Sequence, residues 1–282
     1  MFEGKRFDSR RDMVIKEIMV KSVLSRSGIY SIDFSINPYL GCQHGCVYCY
    51  ARVMKRYAKT TKKWGQFVFA KVNAPTVLAK EIKKVNGGSI LLSSVCDPYQ
   101  PIEKEYEITR NILEVLLKRD IFEVHILTKS NLVLRDIDLI KKFKNIDVGF
   151  SIAHIDERIR EIFEPNAAPV ENRIKALNKL SEEGIKTYLF IAPVLPEITE
   201  KYLNSLLDIA MKAKVEYVFF DTLNLKAGNQ KTIYEALQRL KPLISIRFRK
   251  KLLKTRNEFY SKFKEIAILE CKKRKLDCTF AF

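Results

Sequence analysis

The sequence predicts an α/β fold, namely a partial, TIM-like (β/α)6 barrel followed by a basic C-terminal helical extension. Six short runs rich in β-branched and aromatic residues alternate with amphipathic stretches, and a strongly basic segment follows Pro242. Strands that alternate with helices indicate a parallel sheet with right-handed crossovers. Six units are too few for a closed eight-stranded barrel. A doubly wound sheet is the alternative, because periodicity does not separate the two architectures.

The strands are predicted from runs of residues with high β-propensity that are bounded by turn residues. These runs are Ser35–Leu40, Ser89–Val95, Phe122–Thr128, Asp147–Ile152, Lys186–Ala192 and Glu216–Asp221. Both candidate architectures bind ligands at the carboxyl ends of their strands. Polar residues that follow these runs are therefore the first candidates for a functional site.

The helices between the strands are predicted from apolar residues at helical spacing, as with Ile108, Ile112 and Leu116. The predicted helices are Glu107–Arg119, Leu132–Phe143, Val170–Glu183 and Thr199–Lys212. After Pro242 the stretch Ser245–Lys275 is predicted as one long basic helix, and Cys278–Phe282 as an edge strand.

Three regions are expected from this pattern. They are an N-terminal segment (residues 1–34), the partial barrel (35–242), and a basic helix and tail packed on the barrel (243–282). The N-terminus lacks the apolar core of a secretory signal, and no run of about 18 apolar residues predicts a membrane helix. We therefore expect a cytoplasmic protein that has no membrane partner.

The charge balance indicates a polyanionic partner. The 282 residues include 51 Lys and Arg against 33 Asp and Glu, which gives a formal net charge of +18. This excess favours nucleic acid as the partner, with the C-terminal basic helix contacting phosphates. The alternative interpretation is a lysine-rich surface whose charges only contact water.

Three of the six cysteines lie within eight residues, as Cys42, Cys46 and Cys49. Their spacing, C-x3-C-x2-C, suits three thiolates that each ligate one iron of a [4Fe–4S] cluster. The fourth iron then stays open for the amine and carboxylate of S-adenosylmethionine (SAM). A structural zinc site would need a fourth ligand in a second knuckle. A ferredoxin-type cluster would need a fourth cysteine in the same run.

The segment around these cysteines resembles the radical SAM superfamily, with Tyr48 at the aromatic position of its C-x3-C-x-aromatic-C motif. Further blocks resemble the spore photoproduct lyase-like branch over roughly 36–196. They are Ser94–Glu103 (SVCDPYQPIE), Thr109-Arg110, Leu127–Ser130, Arg135-Asp136, Phe150–Ile152, Phe163–Pro165 and Ile191–Pro196. The resemblance implies a partial (β/α)6 barrel, which agrees with the count of six units.

The resemblance also implies the residues that bind SAM. Lys129 and Ser151 are expected to contact the methionine carboxylate, Tyr48 to lie beside the adenine, and Ala192 to contact the adenosyl group through its backbone. Two residues of the block after the second strand are further candidates. We expect Ser94 and Asp97 to bind the cofactor, and Asp97 to accept a hydrogen bond from a ribose hydroxyl.

Cys96 is the candidate catalytic residue. The lyase returns a hydrogen atom to its product radical from a cysteine in this region, and the S–H bond of Cys96 is weak enough to do the same. The alternative is a small packing residue without a redox role.

These observations predict a radical enzyme that abstracts hydrogen from nucleic acid, either to repair a DNA lesion or to modify RNA. The electron would come from a donor such as ferredoxin or flavodoxin. The alternatives are a protein or small-metabolite substrate, and a non-catalytic iron–sulfur binding protein.

Overall fold

The computed structural model describes residues 5–8, 13–225 and 228–282. It divides into two compact units: the described residues up to Gly45 together with Ala51–Val148, and Cys46–Tyr50 together with the described residues from Gly149 onward. The interpretation of the N-terminus as lacking a signal rests largely on residues 1–12, of which 1–4 and 9–12 lie outside the described residues. Every described helix is too short or too polar to cross a lipid bilayer.

The first unit contains two sheets. Its strands are β1 (Lys5–Asp8), β2 (Met13–Ile18), β3 (Leu24–Arg26), β4 (Phe34–Ile36), β5 (Tyr39–Leu40), β6 (Phe67–Lys71), β7 (Gly88–Leu92), β8 (Phe122–Thr128) and the start of β9 (Ile146–Ser151). The smaller sheet has the order β1-β2-β6-β5, with β2 and β6 parallel. The larger one has the order β9-β8-β7-β4-β3, in which β8, β7 and β4 run parallel and β3 is antiparallel to β4.

The first unit also contains short helices. They are α1 (Lys55–Ala58), α2 (Ala74–Glu81), α3 (Glu103–Tyr106), α4 (Ile108–Leu117) and α5 (Ile137–Ile140), with 3-10 turns at Ile82–Lys84 and Asn131–Asp136. In α4 the residues Ile108, Ile112 and Leu116 are buried, because their spacing places them on one side of the helix.

The second unit continues β9 with β10 (Lys186–Val194), β11 (Tyr217–Thr222) and β12 (Cys278–Phe280), and β10, β11 and β12 are parallel. Its helices are α6 (Glu157–Phe163), α7 (Val170–Glu182), α8 (Thr199–Lys212), α9 (Gln230–Leu240), α10 (Pro242–Lys254) and α11 (Arg256–Lys273). The mixed α/β fold with a parallel sheet is confirmed. The described strand pairings do not close into a barrel, and the partial barrel stays a prediction.

The predicted strand over Ser35–Leu40 is wrong as a single element. The structure has β4 and β5 in different sheets, with Asn37 and Pro38 between them. Proline has no N–H to give to a ladder, so a strand that continued through Pro38 would lack a hydrogen bond there. After this break, β5 pairs with β6 in the smaller sheet instead of continuing β4 in the larger one.

The predicted helix over Ser245–Lys275 is also two elements. It breaks at Thr255, whose φ of −132° and ψ of 34° are not helical. Its hydroxyl lies 3.5 Å from the carbonyl oxygen of Lys251, a local contact of the kind that competes with helix continuation. The break lets α10 bury Phe248 and Leu252 separately from the apolar side chains of α11.

We predict that Gly149→Ala destabilises the protein because β9 packs without space for a side chain there. A Cβ at Gly149 would lie 2.1 Å from the ring of Tyr188, which is buried and stacked on Tyr217. Overpacking of this kind costs about 1–3 kcal/mol of unfolding free energy. The midpoint of urea unfolding measures it. Gly28→Ala is the control, since a Cβ there meets nothing within 4 Å, and equal midpoints for the two variants would contradict the prediction.

Candidate active site

The cysteine segment, residues 41–49, turns at two glycines. Gly41 and Gly45 have φ of +96° and +62°, and a Cβ at Gly41 would lie 2.4 Å from the carbonyl oxygen of Phe67. Glycine is therefore required at position 41 by both conformation and space. In the first unit the N–H of Gly45 donates to the carbonyl of Cys42 (3.4 Å). In the second unit the N–H of Cys49 donates to the carbonyl of Cys46 (3.2 Å).

In the first unit, two buried glutamines fix the start of this segment. The N–H of Gln43 donates to Oε1 of Gln100 at 2.8 Å, and Nε2 of Gln100 donates to the carbonyl of Gly41 at 3.3 Å. In return, the N–H of Ile102 donates to Oε1 of Gln43 at 2.5 Å. The conformation of the chain beside Cys42 is thus set by the Ser94–Glu103 block, although the two lie far apart in sequence.

Asp97 is a buried carboxylate surrounded by several hydrogen-bond donors. It accepts hydrogen bonds from the Thr128 hydroxyl (2.7 Å) and the N–H of Lys129 (2.7 Å), and lies 3.3 Å from Nδ1 of His44. Burial alone would raise the pKa of Asp97, but His44, Thr128 and the Lys129 N–H outweigh it and hold the pKa at about 2. Asp97 thereby joins the end of β8, with Lys129, to the cysteine segment. Its expected contact with a ribose hydroxyl stays a prediction.

Cys96 lies on the same block, beside Asn37. The oxygen Oδ1 of Asn37 accepts from the N–H of Val95 (2.9 Å) and lies 3.8 Å from the Cys96 sulfur, while Nδ2 donates to the Ser94 hydroxyl (3.1 Å). Burial raises the pKa of the Cys96 thiol to about 11. The side chain therefore holds its proton at neutral pH, which is the form needed to donate a hydrogen atom.

The second unit holds Tyr48. Its hydroxyl donates to Oε1 of Glu164, its ring stacks on Phe163 at 6.5 Å between centroids, and its carbonyl accepts from Nδ2 of Asn229 at 2.6 Å. The N–H of Val47 donates to the carbonyl of Phe163 at 2.9 Å. The C-terminal end of α6 therefore fixes both the backbone and the side chain of this part of the segment.

Ser151 and Ala192 meet at the ends of β9 and β10. The hydroxyl of Ser151 donates to the carbonyl of Ala192 at 3.1 Å, and both residues are buried. Ser151 in turn accepts from Nη1 of Arg173 (3.1 Å) through its backbone carbonyl. The two predicted residues are thus direct partners, at the strand ends where parallel α/β sheets bind ligands.

The structure brings the sequence candidates together in two groups, one in each unit. Ser94, Cys96, Asp97 and Lys129 belong to the first unit, and Tyr48, Ser151 and Ala192 to the second. Sequence reasoning missed the residues that hold them or the adjoining cysteine segment: Asn37, Gln43, Gln100, Glu164, Arg173 and Asn229. The signal available was that Gln100 and Glu164 fall within the blocks that carry the family resemblance.

The donor set suits an iron–sulfur cluster. None of the six cysteines forms a disulfide; Cys42 and Cys46 are buried and Cys49 is half-buried. In the part of the chain that the structure describes, no group of three Cys, His, Asp or Glu side chains is arranged as a metal site. The assignment of Cys42, Cys46 and Cys49 as ligands therefore rests on their spacing and on thiolate chemistry rather than on distances.

Comparison with protein families matches residues 36–210 to the radical SAM superfamily. An uncharacterized protein of Methanocaldococcus jannaschii is 41% identical over 218 residues, which is 77% of this chain and 80% of the relative. An uncharacterized protein of Acidianus two-tailed virus is 30% identical over 225 residues, which is 73% of this chain and 72% of the relative. The matched range contains the cysteine motif and all the candidate residues named above.

Among solved structures, spore photoproduct lyase complexed with dinucleoside spore photoproduct is similar in fold. Its TM-score is 0.72 at 14% identity, covering 95% of this chain and 82% of the lyase chain. Streptococcus suis SuiB bound to the precursor peptide SuiA has a TM-score of 0.57 at 16% identity, covering 90% of this chain and 50% of SuiB. At these identities the likeness is one of fold.

We predict that Cys42→Ala, Cys46→Ala or Cys49→Ala each removes most of the bound iron, because each thiolate is assigned to a separate iron of the cluster. The measurement is iron per chain, with the visible absorption spectrum, after anaerobic reconstitution. Cys278→Ser is the matched control, since this half-buried cysteine lies outside the motif. Full iron content in any of the three motif variants would contradict the assignment of that ligand.

A second prediction concerns the pH dependence of stability at Cys96. Burial raises the thiol pKa from its ordinary value of 9.0 to about 11 in the folded protein. As pH rises from 9 to 11, the unfolded chain releases this proton while the folded chain keeps it. The contribution of Cys96 thus lowers stability across this window, by up to about 2 kcal/mol.

The measurement for Cys96 is the free energy of urea unfolding below pH 9 and near pH 11. Lysines and tyrosines titrate in the same range, so the wild type is compared with Cys96→Ala. The variant should lose less stability over this window than the wild type. Equal losses would show that the Cys96 thiol ionises as readily in the folded chain as in the unfolded one.

Proposed function

We propose that this chain, which belongs to the radical SAM superfamily and is a radical SAM enzyme, acts on nucleic acid. When bound, the [4Fe–4S] cluster would supply the electron that cleaves SAM to a 5′-deoxyadenosyl radical, which abstracts hydrogen from the substrate. Cys42, Cys46 and Cys49 would hold the cluster. Tyr48, Ser94, Asp97, Lys129, Ser151 and Ala192 would bind SAM. Cys96, protonated at neutral pH, would give its hydrogen atom to the product radical and become a thiyl radical. A hydrogen atom from 5′-deoxyadenosine, or an electron from the donor together with a proton, would then restore the thiol.

The observation that carries the nucleic-acid proposal is the exposed basic surface of α10. No acidic residue occurs between Glu235 and Glu258, whereas this stretch contains Arg239, Lys241, Arg247, Arg249, Lys250, Lys251, Lys254 and Arg256. Lys251 is neutralised by Glu197 (2.7 Å) and Glu200 (3.0 Å). Arg247, Lys250 and Lys254 are exposed to solvent, with no acid on their own helix to oppose them.

The inner face of α10 belongs to the apolar core of the second unit. Its buried residues Phe248 and Leu252 are in the same apolar cluster as Cys46 and Tyr48. A polyanion held by α10 would therefore lie on a helix that shares this cluster with the second half of the cysteine motif. Arg247, Lys250 and Lys254 lie on a helix that carries no acid of its own, and basic side chains arranged in this way give an electrostatic field that attracts phosphates and raises their local concentration.

Apolar side chains on the exposed face of α10 also favour a nucleic acid over a small anion. Leu243, Ile246 and Leu253 are more than half exposed among these basic residues. Unpaired bases and sugars present apolar surface next to phosphates, so one helix face that combines both kinds of side chain matches single-stranded or unpaired regions. We propose DNA carrying a lesion or a site of RNA modification as the substrate, with a ferredoxin or flavodoxin as electron donor.

We predict that Arg247→Gln, Lys250→Gln and Lys254→Gln combined weaken binding of a mixed-sequence oligonucleotide and flatten its salt dependence. Each basic side chain that binds a phosphate contributes about 0.7–0.9 to the slope of log K against log salt, so the slope should fall by about 2–3. Filter binding over a salt series, with single-stranded DNA, duplex DNA and RNA in separate arms, measures both effects.

The matched control replaces three exposed lysines elsewhere, Lys83, Lys84 and Lys118, by glutamine. This control changes net charge equally and should leave the slope near that of the wild type. Formation of 5′-deoxyadenosine from SAM with dithionite should be equal in both triple variants, because none of these residues is placed at the cofactor. Salt-independent binding by the wild type would overturn the nucleic-acid proposal, and a peptide or small-molecule substrate would then be sought.

A further inference from the structure

A buried ion pair in the second unit links three of the residues expected to face SAM. Glu164 and Arg173 have side chains that are 2% and 1% exposed, and their Oε2 and Nη2 atoms are 2.5 Å apart. The other oxygen of Glu164 accepts the hydroxyl of Tyr48. The carboxylate therefore uses one oxygen for the aromatic side chain of the cysteine motif and the other for the arginine.

The remaining donors of Arg173 reach the strand ends. Nη1 donates to the backbone carbonyl of Ser151 at 3.1 Å, and Nε donates to the carbonyl of Ala168 at 2.8 Å. The Ser151 hydroxyl then donates to the carbonyl of Ala192 at 3.1 Å. Tyr48, Ser151 and Ala192 are thus connected through one guanidinium and one carboxylate, with each group in a fixed orientation.

A buried ion pair is a poor device for stability alone. Removing two charges from water is costly, and apolar residues of similar size often replace such pairs without loss of stability. A planar arginine can instead donate to several acceptors at once. It then fixes the positions of those acceptors relative to one another, because its five N–H groups form a rigid fork. The position of the pair, between a motif side chain and two strand ends, indicates what it fixes.

We propose that Glu164 and Arg173 are positioning residues for SAM, which hold Tyr48, Ser151 and Ala192 in the arrangement that receives the adenosyl and methionine groups. The proposal needs the cofactor of the superfamily and is independent of the nucleic-acid substrate. Glu164 sets the direction of the Tyr48 ring through its hydroxyl. Arg173 sets the end of β9 through the Ser151 carbonyl, and so the direction of the Ser151 hydroxyl toward Ala192.

The first unit provides a matched control with the same three residue types. The hydroxyl of Tyr39 donates to Oε2 of Glu103, and Nη2 of Arg135 lies 2.9 Å from Oε1 of the same carboxylate. Glu103 is fully buried and also accepts from the N–H of Thr109 at 3.0 Å, which anchors the start of α4. Glu103→Gln therefore removes an equivalent buried charge that is tied to a helix instead of to Ser151 and Ala192.

The test compares Glu164→Gln, Arg173→Lys and Tyr48→Phe with Glu103→Gln, all as cluster-loaded protein. The dissociation constant for SAM is measured by anaerobic equilibrium dialysis, together with iron content and the midpoint of urea unfolding. We expect the first three variants to bind SAM about 10-fold or more weakly with unchanged iron content, as for other groups that orient a binding residue from behind. Glu103→Gln should lose stability and keep the wild-type dissociation constant.

A double-mutant cycle separates positioning from a general structural role. If Glu164 acts on SAM through Tyr48, the two substitutions should not have additive effects on the dissociation constant for SAM. The double variant Tyr48→Phe, Glu164→Gln should then bind SAM about as weakly as whichever single variant binds it less tightly. Wild-type SAM affinity in Tyr48→Phe and Arg173→Lys would overturn the proposal even if Glu164→Gln failed to fold. So would an equal loss of SAM affinity in Glu103→Gln.

Discussion

In each unit a buried carboxylate accepts a hydrogen bond from a tyrosine hydroxyl and is paired with an arginine. In the first unit Tyr39 donates to Glu103, and in the second unit Tyr48 donates to Glu164. Each carboxylate is in turn neutralised by an arginine, Arg135 or Arg173. A buried carboxylate without such partners would be strongly unfavourable, so the tyrosine, the carboxylate and the arginine stabilise one another as a set. Tyr39 and Tyr48 are thus fixed by separate sets, and the Glu103 set also anchors the start of α4 through the N–H of Thr109.

Much of the fold was predictable because the spacing of apolar residues in the sequence matches the positions that are buried in the structure. Phe122–Thr128 alternates buried and less buried residues as a strand with one covered side, and Thr199–Lys212 has its apolar residues at helical spacing. The short strand β6 escaped prediction, since it is buried along nearly its whole length and shows no alternation. The break at Thr255 was also missed, because the sequence there stays compatible with a helix and tertiary packing decides.

The site was predictable only where neighbours in sequence act together. The three cysteines lie in one short motif, so their spacing alone predicts their chemistry. Glu164 contacts Tyr48 across 116 residues, and Gln100 contacts Gln43 across 57. Pairings of this kind have no periodicity or spacing that a single sequence reveals. The family resemblance nevertheless marked the blocks in which Gln100 and Glu164 lie, so it located the supporting residues without giving their partners.

Acidic and basic residues are distributed differently between the interior and the surface of the protein. Asp97, Glu103 and Glu164 are buried and each is matched by a cation or by several donors, so these acids add little to the outer field. The excess of basic residues therefore lies at the surface, and it is concentrated on α10, which contains no acidic residue of its own. Phe248 and Leu252 of this helix belong to the apolar cluster that contains Cys46 and Tyr48, so a displacement of α10 acts on the cluster around the second half of the cysteine motif. Well-packed side chains transmit such a displacement instead of absorbing it. The proposed binding of a polyanion to α10 would, through this cluster, be linked to the geometry around Cys46 and Tyr48.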